Sequence, residues 1–166
     1  MEESSRLPLL AVLGPSAASE GEEELAESVG RLAAESGWVV VTGGGVGVMA
    51  AACRGAVAAG GLTVGILPSA AEVPDYPNPW VRIPIYTGAG MARNVFNVLS
   101  ARLCVAIGGE AGTLSEIALA MKAGVRVWCW RSWRIQQTRP SDLAMPRVFD
   151  DAQVLLAELE RELRAR

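Results

Sequence analysis

The sequence has no histidine and one lysine, Lys122. Without histidine there is no Ser-His-Asp triad, no Cys-His pair and no His-ligated metal. Any general acid or base must be a carboxylate, Lys, Tyr, Cys or water. The lone lysine falls in a helical pattern, and no imidazole is there to stack on a pyridine ring. Pyridoxal chemistry is therefore set aside. Cysteine is scarce too: Cys53, Cys104 and Cys129 lie far apart in apolar segments. An odd count at wide spacing supports neither a disulfide framework nor a zinc site. It fits buried thiols in a reducing cytoplasm. No apolar run reaches the length of a membrane span. The acidic start at 1–3 and the short run at 7–13, interrupted by Pro8, do not read as a signal peptide. A net charge of −3 provides no basic surface for nucleic acid. No metal and no resident cofactor are expected.

What is present reads as one folded domain over 1–166. Apolar residues make up 51% of the 166 and charged residues 20%, enough for a sizeable core and too apolar for disorder. A strand is predicted at 9–13. A helix follows, capped near Ser19, with Glu22, Glu23 and Glu24 at its positive end and a stripe of Leu25, Val29, Leu32 and Ala33. Gly37 ends it. A strand at 38–41 leads into a small-residue helix at 48–59, then a strand at 62–67. Residues 68–80 form a loop containing Pro68, Pro74, Pro77 and Pro79. An irregular strand at 81–85 runs through Pro84, and a helix at 91–101 follows. The next strand is at 103–107. The helix from Thr113 carries Leu114, Ile117, Ala118 and Met121 on one face. A strand at 125–130 places Trp128 and Trp130 on one face, for packing or a dimer contact, and Val127 and Cys129 on the other. Residues 131–147 have no clear period. A last helix after Asp150 and Asp151 has the stripe Ala152, Leu155, Leu156, Leu159 and Leu163. The alternation predicts an α/β, Rossmann-like, doubly wound parallel sheet with helices on both faces. Ligands bind such sheets at the carboxyl ends of the strands.

Two glycine turns lie at such ends. The second, Gly108, Gly109, Glu110, Ala111 and Gly112, joins a strand buried on both faces to a helix. Such a turn aims free backbone N–H groups and the positive end of a helix dipole at one point, an anion site. The first, residues 42–47, contains G-x-G-x-x-A at Gly45, Gly47 and Ala50. No acidic residue ends the next strand to hold a ribose hydroxyl, and no Gly-Lys-Ser/Thr makes it a Walker loop. Gly43, Gly44, Gly45 and Gly47 read as a phosphate or ribose contact, against a plain packing turn. Thr113 and Glu116 have T-x-x-E spacing. They form either a capping box or a phosphate contact beside a reacting carboxylate. A carboxylate is repelled by phosphate, so a catalytic Glu116 must lie further along the ligand. Arg93 opens a helix after Gly88-Ala89-Gly90, with Asn97 and Ser100 continuing a polar stripe. It is either a solvated face or a two-pronged clamp on phosphate.

These stretches carry a family resemblance across about residues 8–130. The segments VTGGGVGVMAAACRGA (41–56), GGLTVGILP (60–68), GMARN (90–94) and IGGEAGTLSEIALAMKAG (107–124) resemble the Lonely Guy family, long mislabelled lysine decarboxylases. They are more similar still to its relatives, the molybdenum-cofactor carrier proteins. The resemblance implies cleavage of a nucleoside 5′-monophosphate into base and ribose 5-phosphate. Arg93 and Glu116 would be the catalytic pair, and Gly109, Gly112 and Thr113 would hold phosphate. Asn94 stands where the hydrolases have Lys, and Ile107 where they have Pro. Both are features of the carrier-like branch, which the resemblance implies binds a phosphorylated pterin without turning it over. The expectation is a cytoplasmic homodimer taking an AMP-like or pterin phosphate ligand, with hydrolysis as the leading activity and a carrier as its rival.

Overall fold

The computed structural model describes residues 6–165, so the acidic start at 1–3 lies outside the described residues. Seven strands form one parallel sheet: β1 (Leu9–Leu13), β2 (Val39–Thr42), β3 (Thr63–Leu67), β4 (Ile83–Tyr86), β5 (Leu103–Ile107), β6 (Arg126–Trp130) and β7 (Arg147–Phe149). Their order is β4-β3-β2-β1-β5-β6-β7. The chain walks outward from β1 to β4, then returns to lay β5 along the other side of β1 in parallel register, Val12 opposite Val105. That reversal leaves a crevice outside the carboxyl ends of β1 and β5.

The two central strands β1 and β5 are apolar at every position because helices cover both faces. Leu10, Val12, Val40, Leu103, Val105, Ile107, Trp128 and Trp130 join one core, packed by α1 (Glu20–Glu35), α2 (Val48–Ala58) and α5 (Ala152–Arg164). Ala11, Leu13, Val41, Cys104, Ala106, Val127 and Cys129 face the other way, toward the short α3 (Asn94–Leu99) and α4 (Ala111–Ala123). The predicted split of Trp128 and Trp130 from Val127 and Cys129 is therefore present. Ser19 and Glu22 cap α1 reciprocally, and Asp151 caps α5. Leu155, Leu159 and Leu163 are fully buried, each contributing about 1.5–3 kcal/mol. The Trp38 indole N–H donates to Leu163 O at 2.9 Å and pins the end of α5 to β2. Helices α1 and α2 touch backbone to backbone, since a Cβ on Gly30 would stand 2.0 Å from Ala52 O and one on Gly55 1.9 Å from Glu27 O.

Four expectations need correction. The segment 131–147 ends in a seventh strand, β7, too short for its period to be read before it pairs with β6. The helix expected at 91–101 is a 3₁₀ turn, Gly90–Arg93, followed by six residues of α3. The strand through Pro84 is β4, shifted to Ile83–Tyr86. It tolerates proline because it is the sheet's edge. Helix α4 starts at Ala111, two residues early, and its buried face is Thr113, Glu116, Ile117, Ala120 and Met121, with Ala118 exposed.

Candidate functional site

A cavity of about 400 Å³ opens where the switch point predicts, at the ends of β1, β2, β3 and β5. That is within the usual range of small-molecule sites. The loop after β1 supplies Gly14, Pro15 and Ser16 to its wall, the 3₁₀ turn Gly90, Met91 and Arg93, the start of α3 Asn94, and α4 Gly112, Thr113 and Glu116. A side chain at Gly14 would collide with Val48 and with Ile107 O, so only glycine lets β1 end between α2 and β5.

The second glycine turn forms one end of this cavity. The Gly108 N–H donates to Trp130 O at 2.9 Å, which anchors the turn to β6. Gly108 has φ +60°, and a Cβ there would strike Glu22 Oε1 at 2.1 Å. Gly109, at φ +133°, is backed by the Thr113 side chain. Glu110 then takes the N-cap position of α4 without making a side-chain cap. The first-turn amides, Ala111 to Thr113, have no carbonyl one turn back to receive them. Glu110, Ala111 and Gly112 are exposed. The uncapped, positive end of a thirteen-residue helix thus opens on the cavity. The Trp133 indole donates to Glu110 O at 3.1 Å, so the segment after β6 lies along the rim.

Because α4 begins at Ala111, Thr113 and Glu116 do not form a capping box. Glu116 is turned into the fold, 8% exposed, and its Oε1 accepts from Asn97 Nδ2 at 2.8 Å. Burial pushes its carboxyl above the usual range, while the Asn97 amide and the Arg93 guanidinium oppose the shift. Arg93 is half-buried, donates through Nη1 to Ile66 O at 3.1 Å, and packs on Gly43, where a Cβ would stand 1.8 Å from Nη1. It makes no direct ion pair among the described residues, so its charge is available to the cavity. Asn94 donates to Ser115 Oγ at 3.0 Å, and Ser115 in turn donates to Gly112 O.

Arg93, Glu116, Asn94, Gly43, Gly112 and Thr113 thus meet at one cavity; Gly108 and Gly109 shape the turn beneath it without lining it. Gly44, Gly45 and Gly47 do not line it either. The Gly44 N–H donates to Thr42 Oγ1, and the carbonyls of Gly43, Gly44 and Gly45 accept from the Tyr76 hydroxyl, the Asn78 N–H and Asn78 Nδ2. Gly47 lies against the backbone of Pro15 and Ser16, and Val48 N–H donates to Pro15 O. The start of α2 is therefore covered by protein.

Sequence reasoning did not single out Tyr76 and Asn78; the run Tyr76-Pro77-Asn78-Pro79, a rigid loop around one polar side chain, was the available signal. Asn97 was visible in the polar stripe, but Ser100 is exposed and Asn97 fully buried. Burial raises the Cys53 thiol and pushes Cys104 up to about 12 and Cys129 to about 11, so none is a ready nucleophile. Among the described residues, no group of three or more His, Cys, Asp or Glu could hold a metal, and no helix is long and apolar enough to cross a membrane.

A family model described as the SLOG cluster4 family matches residues 8–157. The molybdenum cofactor binding protein of the phototrophic bacterium Rippkaea orientalis has a similar structure, with a TM-score of 0.73 and 39% identity over 96% of this chain and 88% of that one. The molybdenum cofactor carrier protein of Chlamydomonas reinhardtii superposes with a TM-score of 0.78 at 34% identity, covering 96% of this chain and 99% of that one. An uncharacterized protein of Archaeoglobus fulgidus is 43% identical over 122 residues, 74% of this chain and 79% of its own.

Proposed function

The chain belongs to the SLOG cluster4 family, and from that premise we propose that it binds a phosphorylated, pterin-type ligand of the molybdenum-cofactor kind and carries it without turnover. The observation that carries this reading is the uncapped start of α4 opening on the cavity. The amides of Ala111 to Thr113, with the Thr113 hydroxyl beside them, suit the phosphate. Met49, Met91, Pro15 and Pro68 line the rest and suit the flat ring. No thiol or imidazole lines the cavity, so the phosphate and ring would supply the protein's hold on such a cargo. The likeness to a binding protein and a carrier protein along nearly the whole chain supports the same reading.

A second reading, hydrolysis of a nucleoside 5′-monophosphate, is favoured by one feature. Glu116 stands one helical turn beyond the phosphate end, where a carboxylate faces a sugar rather than the anion, and Arg93 lines the same cavity. Mass spectrometry of the protein as purified, with an assay of adenine released from AMP, separates the two. A co-purifying pterin phosphate and no adenine supports the carrier. Adenine release that is abolished in Glu116→Gln supports the hydrolase. We further propose a cytoplasmic homodimer. Free, buried thiols support the compartment. The exposed Met91, Phe96 and Leu99 of the turn and α3 support the contact. Phe96→Glu is expected to give a monomer in light scattering.

A further inference from the structure

Asn97 is the one fully buried polar side chain on α3, a helix that otherwise buries Val98 and exposes Phe96 and Leu99. It faces Glu116, nineteen residues on, and donates one N–H to Oε1 at 2.8 Å. Its own Oδ1 is buried without a partner. An amide held this way is not there for packing, because an apolar residue would fill the space without stranding a carbonyl. The other Glu116 oxygen, Oε2, takes no hydrogen bond among the described residues and is not sealed from solvent, and Glu116 lines the cavity. Resting on the ligand cavity described above, we propose that Asn97 is a positioning residue: it fixes the Glu116 carboxylate so that Oε1 is held by protein and Oε2 is presented to the ligand.

The chemistry follows from donor and acceptor. With the carboxylate ionised, the Asn97 N–H meets Oε1 and holds the plane of the group. Were Oδ1 turned to it instead, two acceptors would face each other. The groups that face Glu116 are few. Arg93 from the 3₁₀ turn is cationic; from β5 the Cys104 thiol lies beneath, protonated, with Cys129 on β6 beyond it. Arg93 is already bonded to Ile66 O and makes no direct bond to the carboxylate. Asn97 is thus the hydrogen-bonding contact that orients it.

The test is a pH titration of the Glu116 side-chain carboxyl by ¹³C NMR, with the resonance assigned from its absence in Glu116→Gln. In Asn97→Leu, which keeps the bulk and removes the donor, its midpoint is expected to rise by about one pH unit, tenfold in proton affinity. An unchanged midpoint overturns the proposal. If Asn97→Leu does not fold, thermal unfolding of Asn97→Leu/Glu116→Leu decides. Removing both partners is nearly neutral where they serve each other, so recovery of the wild-type Tm supports the pairing and no recovery overturns it. Inorganic phosphate, followed at the Gly112 and Thr113 amides of the wild type, tests the cavity reading by itself. Absence of shifts there sinks that reading without touching the titration.

Discussion

The turn after β2 and the turn after β5 are both glycine-rich, and both lead from a buried strand into a helix. In the first, three successive carbonyls are held by the 76–78 loop, and the start of α2 is covered by the loop after β1. In the second, the Gly108 N–H is anchored on Trp130 O and the carbonyls of Glu110 and Gly112 accept from the Trp133 indole and Ser115 Oγ, but the N–H end of α4 begins without a side-chain cap. Glycine serves opposite ends in the two. At Gly47 it permits contact with Pro15 and Ser16 at distances no side chain could share; at Gly112 a Cβ would meet nothing within 4 Å. A glycine count does not identify an anion site. What matters is whether another piece of the chain has already taken the place of the ligand.

The most severe test of that contrast is one methyl group placed in each turn. Gly47→Ala forces φ +64° on alanine and drives its Cβ to 2.4 Å from Ser16 O. Strain and overpacking together should remove about 3 kcal/mol or more, roughly 6–12 °C in Tm. Gly112→Ala should leave Tm level or raise it slightly, since alanine favours a helix by about 1 kcal/mol over glycine. Equal losses in thermal unfolding would erase the distinction. Gly43→Ala sits between these two. Its Cβ would stand 1.8 Å from Arg93 Nη1, the far end of a flexible side chain. Arg93 is expected to swing out, and under the phosphate-binding role proposed above inorganic phosphate should bind at least about tenfold more weakly by calorimetry, about 1.4 kcal/mol, with little change in Tm.

Glu116→Gln sharpens the open side. Burial holds the Glu116 carboxyl above its usual range, so the folded protein binds that proton more tightly than the unfolded chain does. The stability linked to that proton is intact below the ordinary carboxylate range and is lost as pH rises through the folded midpoint. The glutamine variant should therefore melt about 2–4 °C above wild type near pH 7, about 1 kcal/mol in a domain of this size. The gap should close as pH falls into the carboxylate range. A gap that stays constant from pH 4 to pH 8 would show that Glu116 carries no such proton linkage.

The sheet was legible because its signals are local. Leu103 to Ile107 is apolar at every position, and the observed strand has those bounds. Ser19 and Glu22 stand three apart, and they cap α1. The site was half legible. Gly-rich turns and an Arg after Gly-x-Gly pointed to the crevice where the cavity opens. Thr113 and Glu116, however, share their spacing with a capping box, and only the start of α4 at Ala111 rules the box out. Asn97 and Ser100 look alike on a helical wheel, yet the approach of α4 buries one and not the other. The Tyr76 and Asn78 contacts join residues more than thirty apart in sequence, a pairing no local pattern encodes.

The smallest effects probe the polar links that hold each turn. Tyr76→Phe removes the half-buried hydroxyl that donates to Gly43 O and leaves that carbonyl without this donor. The expected loss is about 1 kcal/mol, or 2–4 °C in Tm. Asn94→Ala removes the Nδ2 bond to Ser115 Oγ at the open turn, where the partners are exposed and water replaces the donor. There the loss should stay within about 0.5 kcal/mol. If the closed turn owes its shape to the loop that grips it, the two variants rank in that order under identical buffer. A reversed ranking would mean that the 76–78 loop rests on the glycine turn without holding it, and that the first turn is closed by its own backbone alone.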